Sequence, residues 1–85
     1  MEVSYSNSFR KDYKKLDSKI RGKFQIKLRI FQNDPFNYVL NNHSIHHPYD
    51  GCRSINITGD IRALYELKNN MAHFFHIGSH SELYK

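Results

Sequence analysis

Two histidines four residues apart, His76 and His80, flank Gly78, and Tyr84 follows four residues after the second. An imidazole changes charge between about pH 5 and 8, so each ring can give or take a proton near neutrality. Earlier in the chain stand His43, Asp60 beside Gly59, and Arg62. This set offers acids, bases and cations, but it lacks the pattern of a metal site. His76 and His80 reach a single zinc ion only from one face of a helix. Gly78 argues against that helix, and no Glu follows the first His. Cys52 is alone, without a companion for zinc or for a disulfide. No Ser or Cys stands in a pattern that signals a nucleophile with a His partner. No cofactor is expected.

RNA cleavage suits such a set. RNA carries its own nucleophile, the 2′-hydroxyl. A catalyst needs to deprotonate it, protonate the departing 5′ oxygen, and neutralise charge building on phosphorus. Two imidazoles and an arginine supply those functions without metal. A tyrosine can stack on a splayed base.

The elements must bring these residues together. Glu2 to Tyr5 alternates and predicts a short strand. Ser6, Asn7 and Ser8 are helix-capping types, and Phe9, Tyr13 and Leu16 mark one face of a short helix. Asp17-Ser18 can cap a second helix, with Ile20, Phe24, Leu28 and Phe31 as its stripe, broadened by Ile26 and Ile30. Asn33-Asp34-Pro35 stops it, and Phe36 to Leu40 suits a further helical turn. Asn41 to Gly51 reads as a loop. Arg53 to Ile57, Ile61 to Leu67 and Met71 to Ile77 read as three strands of a meander, with a turn over Lys68-Asn69-Asn70. The predicted fold is α+β, a small antiparallel-rich sheet backed by two N-terminal helices, in the order β-α-α-β-β-β. The other sheet face is expected to be open. Ser54, Asn56, Arg62 and Glu66 line it, with His43, Asp60, His76, His80 and Tyr84 at its rim. Gly78 is expected to give the tail freedom to carry His80 over that face, with Leu83 as its anchor.

The chain has 85 residues, enough for one domain over residues 1–85, and its 39% hydrophobic content supports one core. A net charge of +5 favours a polyanionic partner, nucleic acid or an acidic protein. No apolar run approaches the roughly 20 residues of a membrane span, and the first residues lack the layout of a signal peptide. With a lone cysteine, the expected compartment is the cytoplasm.

Three stretches carry a resemblance. They are Gly51-Cys52-Arg53, the run from Ser54 through Thr58-Gly59-Asp60 to Tyr65, and the close Ile77-Gly78-Ser79-His80-Ser81-Glu82-Leu83-Tyr84. With these the chain resembles toxins of the RelE superfamily, YafQ-like branch, which are bacterial toxin–antitoxin mRNA interferases. The resemblance implies cleavage of mRNA in the ribosomal A site and inhibition by a cognate antitoxin. Lys11, Lys14, Lys15, Lys19 and Lys23 are read as a solvated helix face or as a contact for ribosomal RNA phosphates. It implies a catalytic set of His80, His43, Asp60, Arg62 and His76, with Tyr84, Asn56 and Arg53 binding substrate. His43 matches the branch's loop histidine, His80 its C-terminal histidine, Asp60 its turn carboxylate and Tyr84 its terminal aromatic. Arg62 falls where other RelE relatives place a strand arginine at the scissile phosphate. Asn56 stands where YafQ has a histidine, His76 where it has an arginine, and Ile61 where a Trp is usual. Two other readings share the fold. One is a catalytically weak or inactive module that binds RNA or antitoxin; the other is a ParE-like, gyrase-directed toxin.

Overall fold

Two side-chain caps set the helical layer. The structure is a computed structural model and describes residues 1–84. The strand β1 spans Glu2–Tyr5. Ser6 ends it and caps α1 (Asn7–Lys15), its hydroxyl accepting the Phe9 amide at 3.0 Å. Asp17 caps α2 (Ser18–Asn33) in the same way, accepting the Ile20 amide at 2.9 Å. Each cap satisfies one of the backbone donors that a helix start leaves unpaired. A 3₁₀ turn, Tyr38–Leu40, follows α2. Phe24, Leu28 and Phe31 turn inward as the stripe requires, but Ile26 is 61% exposed. Two residues on from Phe24, it lies about 200° round the helix and faces away from the core.

Five strands form one sheet in the order β1-β5-β4-β3-β2. They are β1, β2 (His43–Ser44), β3 (Arg53–Asn56), β4 (Ile61–Lys68) and β5 (Met71–Ser79). β1 runs parallel to β5, and every other neighbouring pair is antiparallel. The β4–β5 hairpin turns through Asn69 and Asn70, with φ of 53° and 61°. A two-residue turn with both φ positive matches the twist of the strands it joins, and Asn tolerates that region. The two-residue β2 lies inside the stretch expected to be loop. It exists because His43 and Ser44 pair with Ser54 and Arg53 at the sheet edge.

A bulge interrupts β5. Leu64 pairs with His76 but Tyr65 with Phe74, so Phe75 has no partner. The extra residue shifts the alternation, and Phe74 and Ile77 both reach the helix side. That side carries the main core: Phe9, Phe24, Phe31, Leu40, Ile55, Tyr65, Ala72 and Phe74 are among its buried members. The opposite face, expected to be open, is partly roofed. Ile45, Cys52 and Leu83 cover Leu64 there, with Tyr49, Phe75 and Tyr84 packed around them. The loop after β2 and a last helical turn, α3 (His80–Leu83), supply the roof. Among the described residues no helix is long and apolar enough to cross a membrane.

Candidate active site

The tail is a clamped turn rather than a loose end. Ser79 Oγ accepts the Glu82 amide at 3.2 Å, while the Glu82 carboxylate accepts the Ser79 amide at 2.8 Å. This reciprocal capping box closes two backbone donors of a very short helix. Gly78 makes room for it, since a Cβ there would stand 3.1 Å from Glu82 Oε1. Gly78 therefore permits a close approach and does not loosen the tail. Leu83 is buried beside Leu64, as an anchor should be. The Tyr49 hydroxyl donates to the Leu83 carbonyl at 2.6 Å. His80 is left exposed at the start of the turn. Tyr84 comes back against it four residues later, with ring centroids 4.7 Å apart and planes at 33°.

Arg62 joins this pair. Its partner across the ladder is Gly78, so no β5 side chain crowds it. Its guanidinium donates to Asn56 Oδ1 at 3.3 Å. Burial and the neighbouring Tyr49 phenol push Tyr84 above its ordinary pKa, against an opposite pull from Arg62. Tyr84 therefore stays a neutral phenol at working pH. Asp60 and His80 each lie one residue beyond the Ile61–Ser79 pair, at the same end of the sheet. The turn carrying Asp60 is held by Thr58, whose hydroxyl accepts the Asp60 and Ile61 amides at 3.2 and 2.9 Å.

The other two histidines stand apart. His43, Ser54, Leu64 and His76 pair in turn across four strands, so they form one transverse row. Three strand spacings, about 14 Å, separate its ends. His43 is exposed on β2, and its Nδ1 lies 2.7 Å from the Asn41 carbonyl. A carbonyl only accepts, so Nδ1 carries the hydrogen and Nε2 of the neutral ring is free to take a proton. His76 Nδ1 donates to Asp12 Oδ2 at 2.8 Å, and the same oxygen accepts the Ile77 amide at 3.2 Å. Asp12 comes from α1, which covers the β5 edge where β1 has left the sheet. His76 lines a cleft of about 250 Å³ with Asp12, Lys15, Tyr49 and Glu82.

Arg53 lies on the other side of the sheet. It pairs with Tyr65, its Nε donates to Asn42 Oδ1 at 2.8 Å, and its guanidinium stacks 5.1 Å from the Phe36 ring centroid. Thus the structure gathers His80, Tyr84, Arg62 and Asn56, with Asp60 at the same end. It puts His43 farther along that face, His76 behind the tail, and Arg53 outside the group. Cys52 is buried, and burial, then Glu66 and Asp50, push its thiol up. That suits packing and not nucleophilic attack. Among the described residues no cluster of three His, Cys, Asp or Glu side chains is placed to hold a metal ion.

Two residues of the site escape a reading of the sequence. Tyr49 sits in an aperiodic loop and carries no local signal. Asp12 carries a faint one, as the single acid among the Arg and Lys residues of α1.

Comparison with known proteins follows the same lines. A family model described as a bacterial toxin of type II toxin–antitoxin system, YafQ, matches residues 1–85. The crystal structure of YafQ from E. coli strain BL21(DE3) superposes with a TM-score of 0.83 at 22% identity, covering 99% of this chain and 98% of that one. The E. coli DinJ–YafQ complex gives 0.72 at 24% identity, with 99% and 98% covered. The RelB–RelE antitoxin–toxin complex from Methanococcus jannaschii gives 0.77 at 22%, with 96% and 95% covered. At these identities the structures establish a shared fold. No curated protein sequence matches the chain.

Proposed function

The chain belongs to the YafQ family of bacterial toxins of type II toxin–antitoxin systems, and on that premise we propose that it is a ribosome-dependent endoribonuclease acting on mRNA in the A site. The observation that carries the reading is the exposed His80, its ring packed at a tilt against Tyr84 beside Arg62. In this reading His80 protonates the departing 5′ oxygen. His43, through its free Nε2, or Asp60 takes the proton of the 2′-hydroxyl. Arg62, steadied by Asn56, neutralises the charge on phosphorus, and Tyr84 stacks on the splayed base. The cut leaves a 2′,3′-cyclic phosphate and a 5′-hydroxyl, and no metal takes part. Arg62 takes this part rather than His76, which stands where YafQ has an arginine, because His76 is already engaged by Asp12.

The partners follow from charge and from the fold. DinJ–YafQ and RelB–RelE are complexes of toxin with antitoxin, and this chain is proposed to bind a cognate antitoxin through an acidic segment. Lys11, Lys14, Lys15, Lys19 and Lys23 on the helices give ribosomal RNA phosphates a basic surface.

The test is cleavage of mRNA in a translating extract and free in buffer, with 5′ ends mapped. The expected result is cuts inside codons, made only on the ribosome and unaffected by chelation under conditions that keep ribosomes intact. Intact mRNA with normal antitoxin binding would replace the nuclease with the binding module.

A further inference from the structure

Tyr49 touches two residues assigned to this site, His76 and Tyr84, and the carbonyl of Leu83 that lies between His80 and Tyr84. It lies in the loop between β2 and β3, and that loop is tied to itself. The Ile45 amide donates to the Cys52 carbonyl at 3.0 Å, the Tyr49 amide to His46 at 2.8 Å, and the Cys52 amide to Tyr49 at 3.1 Å. Both backbone groups of Tyr49 are therefore held. Its half-buried ring packs against Phe75 and Tyr84, each at 5.6 Å between centroids, and edge-on to His76 at 6.1 Å. Its hydroxyl reaches the Leu83 carbonyl at 2.6 Å. That carbonyl ends a helix of a single turn and has no acceptor role within it.

We propose that Tyr49 is a positioning residue, the strut that fixes the spacing between the segment carrying His43 and the turn carrying His80 and Tyr84. The proposal rests on the nuclease reading above, in which those residues meet one phosphodiester. Three devices hold α3: the Ser79–Glu82 box, Leu83 in its cluster, and Tyr49. The box is internal to the tail, and Leu83 seats it on β4. Tyr49 ties it by a hydrogen bond and by ring packing to the chain that continues from β2, beside the apolar contact of Ile45 and Cys52 in the same cluster as Leu83. A helical turn this short does not hold itself in place. The Tyr49 hydroxyl already donates to Leu83, so it has no proton to offer a substrate, and its role is geometric.

The experiment compares Tyr49→Phe and Tyr49→Ala with the parent in single-turnover cleavage of ribosome-bound mRNA. Losing the hydroxyl alone should slow cleavage about 5- to 10-fold, the weight of one hydrogen bond. Losing the ring should slow it about 100-fold, as for a catalytic group displaced by an ångström or so. The ribosome concentration giving half-maximal rate should not change, because the variant loses geometry and not binding. In parallel, NMR should show the His80 and Tyr84 ring signals shifting in Tyr49→Ala and less in Tyr49→Phe. Ile30→Val, a trim on the helix side, should alter neither readout. Parental cleavage by Tyr49→Ala, or unmoved His80 and Tyr84 signals, would overturn the proposal. A parent that fails to cut would sink the nuclease reading, while the ring signals would still decide whether Tyr49 sets the tail.

Discussion

The two apolar clusters, one on each face of the sheet, are built differently. On the helix side Phe9, Phe24, Phe31, Tyr65 and Phe74 are linked ring to ring, and each of them touches two or more of the others. No single contact there is the sole support of its neighbours. On the far side four buried residues, Ile45, Cys52, Leu64 and Leu83, carry the cover. Its last turn is held by one leucine, one phenol and one capping box. The thick cluster supplies stability, and the thin one supplies the placement of His80 and Tyr84. Stability and activity should therefore respond to different substitutions.

The sharpest break sets His80 against Phe31. His80→Ala removes an exposed group, so cleavage should fall about 10²–10⁴-fold, with folding stability moved by less than about 0.5 kcal/mol. His46→Ala, an exposed loop control, should cleave within about threefold of the parent, as surface changes away from a site usually do. Single-turnover cleavage of ribosome-bound mRNA reads both, and parental activity in His80→Ala would detach catalysis from the tail. Phe31→Ala should do the reverse, costing about 3–5 kcal/mol out of a total of roughly 5–15. Urea denaturation measures it, and a loss under 1 kcal/mol would contradict the division between faces.

Leu83→Ala tests the thin cluster itself. It should cost about 2 kcal/mol, the low end for such a truncation because the site sits at a surface that can collapse. Cleavage should nevertheless fall at least tenfold, as the turn loses its seat. A stability loss as large as that of Phe31→Ala would make the two clusters equivalent. Gly78→Ala should act on a smaller scale. The new Cβ would press on Glu82 Oε1 from 3.1 Å and loosen the box, at about 1 kcal/mol, the usual worth of a helix cap. Amide exchange should quicken at Ser79 and Glu82 and stay unchanged in β4.

The smallest effect concerns pH. Burial raises the pKa of Tyr5, on the helix side, and of Tyr84, on the far side, above the ordinary 10.0. The folded state holds both protons more tightly than the unfolded state does. That contribution is complete below pH 10 and is lost as pH rises through the folded values. Stability measured between pH 9 and 11 should decline from about 10 upward, and less steeply in Tyr84→Phe. An unchanged slope in that variant would mean that Tyr84 is not held by its neighbours.

What the sequence makes legible is what short range decides. The caps at Ser6 and Asp17, the stripe through Phe24, Leu28 and Phe31, and the turn at Asn69-Asn70 are each written in adjacent residues. Alternation likewise puts Asn56 and Arg62 on one face and Arg53 on the other. What stays hidden depends on partners far along the chain. β2 is a strand only because β3 lies beside it, and the bulge at Phe75 appears only in the register with β4. Asp12 matters because α1 happens to cover a bare strand edge. Ser79 and Glu82 are different: their S-x-x-E spacing is a plain capping signal. The neighbouring glycine suggests freedom, whereas the folded tail uses Gly78 for a tight fit.

The parallel pairing of β1 with β5 has a consequence for the order of assembly. Ser4 and His73, joined by a hydrogen bond, are 69 residues apart in sequence. Contacts of such long range close late, because their chain entropy is spent before any of it is returned. During synthesis β1 has no neighbour in the sheet until β5 exists, and α3 is made after β5. The turn proposed to carry the chemistry is thus among the last parts of the molecule to take shape, because the strand it follows and the loop it leans on must both be in place first.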